Sequence, residues 1–172
     1  TLPEQFVGLN TVEISQVLGV ACHAVGADYT MSERRDLTLR GLGRDNHPDY
    51  SYRVEVRGLP VESTDDGQDL KTLIRTPAGD VFTHLYRSAQ MARDGISLPF
   101  VRSFPIESPD DFEPVAQVFE HLEVIPTPEA YAAFRDRVGD RGVAVARGSV
   151  AASPIHLMLH DLVAATQFFY LY

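Results

Sequence analysis

The sequence predicts an α/β fold, and three observations in its last third carry that prediction. Ser108-Pro109-Asp110-Asp111 is a helix start, with serine as N-cap, proline at the first helical position and carboxylates where the helix dipole favours them. Thr127-Pro128-Glu129 repeats the device and opens a helix that stops near Gly139. Gly142-Val143-Ala144-Val145-Ala146 is a short β-branched and apolar run, a buried strand at about 143–146, and after it Ser153-Pro154 opens a third helix. The expected helices are 109–124, 128–138 and 154–172.

Upstream, residues 3–25 read as one helix, with Phe6, Leu9, Val12, Ile14, Val17, Leu18 and Val20 crowding one side. Met31 to Asp49 is polar and turn-rich and reads as a loop. Tyr52 to Arg57 alternates apolar and charged residues, as a half-exposed strand does. Ser63 to Gly67 reads as a turn. Leu70–Thr76 and Val81–Arg87 read as a hairpin joined at Pro77-Ala78-Gly79-Asp80. Residues 50–88 are thus expected to form a small antiparallel β elaboration.

Bulk properties narrow the function. Fifteen basic against 24 acidic residues leave a net charge of −9, which argues against nucleic acid and anionic membrane surfaces as partners. One cysteine, Cys22, excludes an internal disulfide and a cysteine-based zinc cluster, and suits a reducing compartment. No apolar run reaches the length of a membrane span, and Asn10 to Gly26 lacks the basic flank of a signal peptide. A cytoplasmic protein is expected.

A set of short motifs resembles a known family. Ser108-Pro109-Asp110-Asp111-Phe112, Val138-Gly139-Asp140 before the strand and Ser153-Pro154 after it look like the uroporphyrinogen decarboxylase superfamily. Arg75-Thr76-Pro77-Ala78-Gly79-Asp80 is similar to the Thr-Pro-x-Gly turn of its divergent, cobalamin methyltransferase-like branch. The resemblance spans roughly residues 40–172 and rests on the order and spacing of the motifs. It implies a (β/α)8 barrel, a fold of about 250 residues. At 172 residues the chain is expected to be a single, incomplete domain, the N-terminal part of such a barrel, with 50–88 as the antiparallel elaboration and 105–172 as the barrel part. The start without methionine and the end inside an apolar helical pattern, Gln167 to Tyr172, prompt the same expectation. Phe168, Phe169 and Leu171 are then expected to pack on residues outside the chain or on a second copy, as in a homodimer.

The resemblance implies a decarboxylase acting on the carboxylate side chains of a tetrapyrrole or related substrate, without a cofactor. Its alternative is a methyltransferase using zinc and a corrinoid protein partner. The His-x-Cys zinc motif of that branch is missing, so such a site would lie after Tyr172. The Arg-x-x-x-Arg loop of true uroporphyrinogen decarboxylases is not reproduced by Arg34, Arg35 and Arg40, which favours the divergent branch. A third alternative is a domain that binds a ligand or partner without turnover.

The candidate substrate-binding residues are Arg147, Gly148 and Ser149, directly after the expected strand, where barrel enzymes build their sites. An arginine there can fork onto a carboxylate. The alternative is a surface-loop arginine that caps a helix or pairs with a neighbouring carboxylate. His156 and His160, at i and i+4, share a helix face but lack the glutamate of a zinc-protease motif, and no metal ligands are assigned. His84, and the Cys22-His23 pair at the end of the first helix, read as structural. Asp45-Asn46-His47 reads as a turn.

Overall fold

The computed structural model describes residues 3–26, 34–94, 96, 98–146 and 153–171. It is a mixed α/β structure of small sheets, with no closed barrel among the described residues. The chain divides into two compact units. Unit 1 comprises residues 1–35, 46–53 and 126–148, and unit 2 residues 36–45, 54–125 and 149–172.

Unit 1 begins with helix α1 (Thr11–Leu18), whose N-terminus is closed by a reciprocal capping box: Glu13 N–H donates to Asn10 Oδ1, and Asn10 N–H to Glu13 Oε2. The helix ends at Gly19, which takes the left-handed conformation that a side chain disfavours. The single helix expected over 3–25 is therefore corrected: only Thr11–Leu18 is α-helical, preceded by a 3₁₀ turn at Glu4–Phe6 and followed by a strand. Strand β1 (Cys22–Gly26) follows, and it pairs in parallel with a strand near the far end of the unit, Gly142–Ala146. That partner lies about 120 residues away, so local periodicity carries no trace of it. Helix α4 (Pro128–Val138) packs against both strands. Cys22, Ala24, Phe134 and Val138 form the unit's core, with Val12, Tyr131 and Ala144 packed around it. The 142–146 run is a strand, as expected, and is the last of the eight strands described here (β8).

Unit 2 is built on a four-stranded antiparallel sheet: β3 (Val61–Asp65), β4 (Asp69–Thr76), β5 (Gly79–Tyr86) and β6 (Phe100–Ser103), paired in that order. The expected hairpin is β4–β5, with Thr76 opposite Gly79 across the tight turn. Thr76 Oγ1 accepts from Ala78 N–H and Gly79 N–H, which explains the Thr-Pro-Ala-Gly sequence there. Alternation puts Leu70, Thr72 and Ile74 of β4 and Val81, Thr83 and Leu85 of β5 on one buried face. Helix α3 (Phe112–Glu120) and the 3₁₀ turn Arg40–Leu42 pack against the sheet. Helix α2 (Ala89–Arg93) lies between β5 and β6.

Two expectations about this region are corrected. Ser63-Thr64-Asp65 belongs to strand β3, and the turn sits after it, where Asp66 Oδ1 accepts from Gln68 and Asp69 N–H. Residues 109–124 are not one helix: α3 stops at Glu120, and Leu122–Pro126 is strand β7, paired with β2 (Tyr52–Val56). Val124 and Ile125 are β-branched, and Pro126 disfavours a helical conformation at Ile125. β2 thus pairs with β7 and not within the antiparallel sheet.

The Ser108 and Ser153 helix starts are realised. Asp111 Oδ2 accepts from Ser108 N–H and Oγ–H, and Ser153 Oγ accepts from His156 N–H. Thr127 instead turns its hydroxyl to the Tyr50 carbonyl oxygen at 2.7 Å. The expected 154–172 helix is interrupted. Helix α5 (Pro154–Leu157) runs into a π-helical turn, Met158–Leu162; Val163 is extended and bridges Ile106; helix α6 (Ala165–Leu171) then follows. Phe169 and Tyr170 of α6 are 79% and 87% exposed. No helix among the described residues is long and apolar enough to cross a membrane.

Candidate functional site

Strand β8 of the parallel pair β1–β8 immediately precedes the candidate residues in the sequence. The register of the pair runs Cys22 opposite Gly142 through Gly26 opposite Ala146, so both strands end level. In α/β proteins, ligands bind at the carboxyl ends of such parallel strands. Gly142 is required by this pairing: a Cβ there would overlap the backbone of Cys22. One face of the pair, carrying Cys22, Ala24 and Ala144, is covered by helix. The opposite face carries Val143, which is 63% exposed. Arg147, Gly148 and Ser149 follow β8 directly in the sequence and lie outside the described residues.

The structure gathers polar groups that sequence reading did not bring together. In unit 2, Arg40 Nη1 donates to Asp161 Oδ1 at 2.5 Å, with side chains 7% and 1% exposed. His160 Nδ1–H donates to the same oxygen at 3.0 Å. Asp161 Oδ2 is buried without a hydrogen-bond partner among the described residues. Gly43, in the left-handed conformation at φ +71°, lies so close that a Cβ there would come within 2.8 Å of that oxygen. The π-helical turn swings Asp161 inward and leaves His160 half-exposed, with the His156 ring edge-on to it at 5.6 Å. The i, i+4 spacing of the two histidines does bring their rings together. No group of three or more His, Cys, Asp or Glu side chains suited to a metal exists among the described residues.

On the outer face of the sheet, His84 Nε2–H donates to Asp69 Oδ1 at 2.5 Å and Arg102 Nη1 donates to the same oxygen at 2.9 Å. The Arg102 guanidinium stacks on the Tyr86 ring at 3.9 Å. His84 is therefore a cross-strand position held by its hydrogen bond to Asp69. Cys22 and His23 lie on a strand, where neighbours point to opposite faces, so they do not meet.

In unit 1, Asp49 is the electrostatic centre. Its carboxylate, 10% exposed, takes Arg137 Nη2 at 3.0 Å and lies 4.0 Å from Arg34 Nη1. His47, read as part of a turn, is buried, and its Nδ1 accepts from Asp49 N–H at 3.0 Å. Asp45, in unit 2, is also buried, so the turn reading missed buried positions.

No protein-family model matches the chain, and neither a curated protein nor a solved structure matches it.

Proposed function

We propose that the chain is the N-terminal part of a (β/α)8 barrel enzyme of the uroporphyrinogen decarboxylase type. It acts in the cytoplasm on a tetrapyrrole or related substrate and removes carboxylate side chains. The observation that supports this reading is the β1–β8 pair: two parallel strands, level at their carboxyl ends, covered by helix on one face and carrying exposed Val143 on the other. Parallel sheets are buried on both faces and extended by further strands. The motif order from Ser108 to Pro154 is the second support.

In this reading Arg147 forks onto a substrate carboxylate, and Gly148 lets the backbone approach it. Decarboxylation breaks the carbon–carbon bond to a neighbouring carboxylate, CO2 leaves, and a proton takes its place. A group of opposite charge stabilises the cationic protonated pyrrole through which this passes.

The test is incubation of the protein with uroporphyrinogen under reducing conditions, followed by separation of porphyrins by carboxylate number. Products with fewer carboxylates are expected. Arg147→Ala should weaken binding about tenfold or more, and Arg147→Lys should restore it in part, because an ammonium cannot fork. Methyl transfer from a methylcorrinoid to a thiol, dependent on added zinc, would favour the methyltransferase branch instead. Calorimetric binding of porphyrin without turnover would leave a non-catalytic binding domain. Neither turnover nor binding would overturn the proposal.

A further inference from the structure

Unit 1 contains a cleft of about 420 Å³, within the roughly 300–1,000 Å³ of small-molecule sites. Its apolar lining is Val12, Phe134 and Val138, and Glu13, Asp49, Arg137 and Arg141 also line it. Two of these charged groups have binding capacity to spare. Arg141 donates Nε–H to the Val138 carbonyl oxygen at 2.9 Å, which anchors the side chain and leaves its terminal nitrogens with no carboxylate partner among the described residues. Glu13 Oε2 accepts from Asn10 N–H in the capping box, which fixes the carboxylate and leaves Oε1 with no hydrogen-bond partner among the described residues. Arg137 and Asp49 neutralise each other at 3.0 Å, and the remaining lining carboxylate, Asp136, pairs with Arg135.

A lone anion in this cleft meets Glu13, and a lone cation meets Arg141. A ligand with both charges satisfies both, and its hydrocarbon part covers the Val12–Phe134–Val138 surface. We propose that the cleft binds a small zwitterion, an α-amino acid with an apolar side chain. Its carboxylate pairs with Arg141 and its ammonium with Glu13. The proposal does not use Arg147 and does not rest on the decarboxylase reading.

The experiment is titration of the protein with L-leucine, followed by protein-observed NMR at Phe134 and Val138 and by calorimetry. Saturable binding is expected. Leucine methyl ester, which lacks the carboxylate, and 4-methylpentanoate, which lacks the ammonium, should each bind at least about tenfold more weakly. Arg141→Ala should weaken leucine binding by a similar factor. Glu13→Gln should do so with the capping box intact, because glutamine serves the same capping role, so this variant separates lost binding from lost folding. Absence of saturable leucine binding, equal affinity for 4-methylpentanoate, or unchanged affinity in Glu13→Gln would each overturn the proposal.

Discussion

Replacing Arg40 by leucine should destabilise unit 2 by about 3–5 kcal/mol, the cost of leaving one partner of a buried ion pair without the other. The geometry sets this size. Arg40 and Asp161 are 7% and 1% exposed, so water cannot take the place of the lost guanidinium. Asp161 Oδ2 already has no partner among the described residues, and only the His160 Nδ1–H would remain on Oδ1. Asp161→Leu should cost a similar amount by stranding Arg40. The double variant removes both charges and should lose clearly less than the sum, with a coupling above about 1 kcal/mol. The chain has no tryptophan, and two compact units need not unfold together. Urea unfolding is therefore best followed through backbone amides of β4 and β5, which belong to unit 2. Single variants that each cost under about 1 kcal/mol, or strictly additive costs, would refute the reasoning, since a pair that water can reach contributes only that much.

Gly142→Ala should open the β1–β8 pair, because the new methyl overlaps the Cys22 backbone; Cys22 is the sole, buried thiol, so its rate of labelling by a disulfide reagent should rise about tenfold or more. Phe134→Ala should destabilise unit 1 by about 3–5 kcal/mol through the cavity it leaves against Cys22, Ala24 and Val138, and labelling of Cys22 should accelerate with it. Gly43→Ala should destabilise unit 2, since it forces a left-handed backbone on a residue with a Cβ and drives that Cβ against Leu157 and Asp161; loss of amide protection in 158–162 is the measure. The Asp69 N–H, and then the Gln68 N–H, hold the Asp66 carboxyl below the usual carboxylate range. Its contribution is therefore full above the ordinary aspartate value and is lost as pH falls through the lower folded value; a carboxyl-carbon NMR titration showing Asp66 at or above the ordinary value would contradict this.

Much of the local structure was legible because its causes are local. Ser108 and Ser153 start helices through bonds to residues three positions on, and Thr76-Pro77-Ala78-Gly79 closes its hairpin through its own threonine hydroxyl. The hairpin of β4 and β5 was legible from its turn, whereas their buried faces, which alternate as a strand with one covered face must, were not singled out. The α/β class, the strand at 142–146 and the helix at 128–138 also followed from local signals.

The remainder depended on partners distant in sequence. Val20 to Gly26 continues an apolar helical pattern, yet Cys22–Gly26 is a strand because Gly142–Ala146 offers it a ladder and α4 covers it. Leu122–Pro126 is a strand because Tyr52–Val56 lies beside it. Nothing local in Asp161 marks it as buried; Arg40, 121 residues earlier in the chain, makes burial tolerable, and the bare backbone of Gly43 makes room. A sequence determines by itself whatever is settled within one turn of helix or one hairpin, since those bonds form between neighbours. Strand pairing, buried charge and clefts such as that between Glu13 and Arg141 arise only when distant segments meet, and the tertiary structure alone decides them.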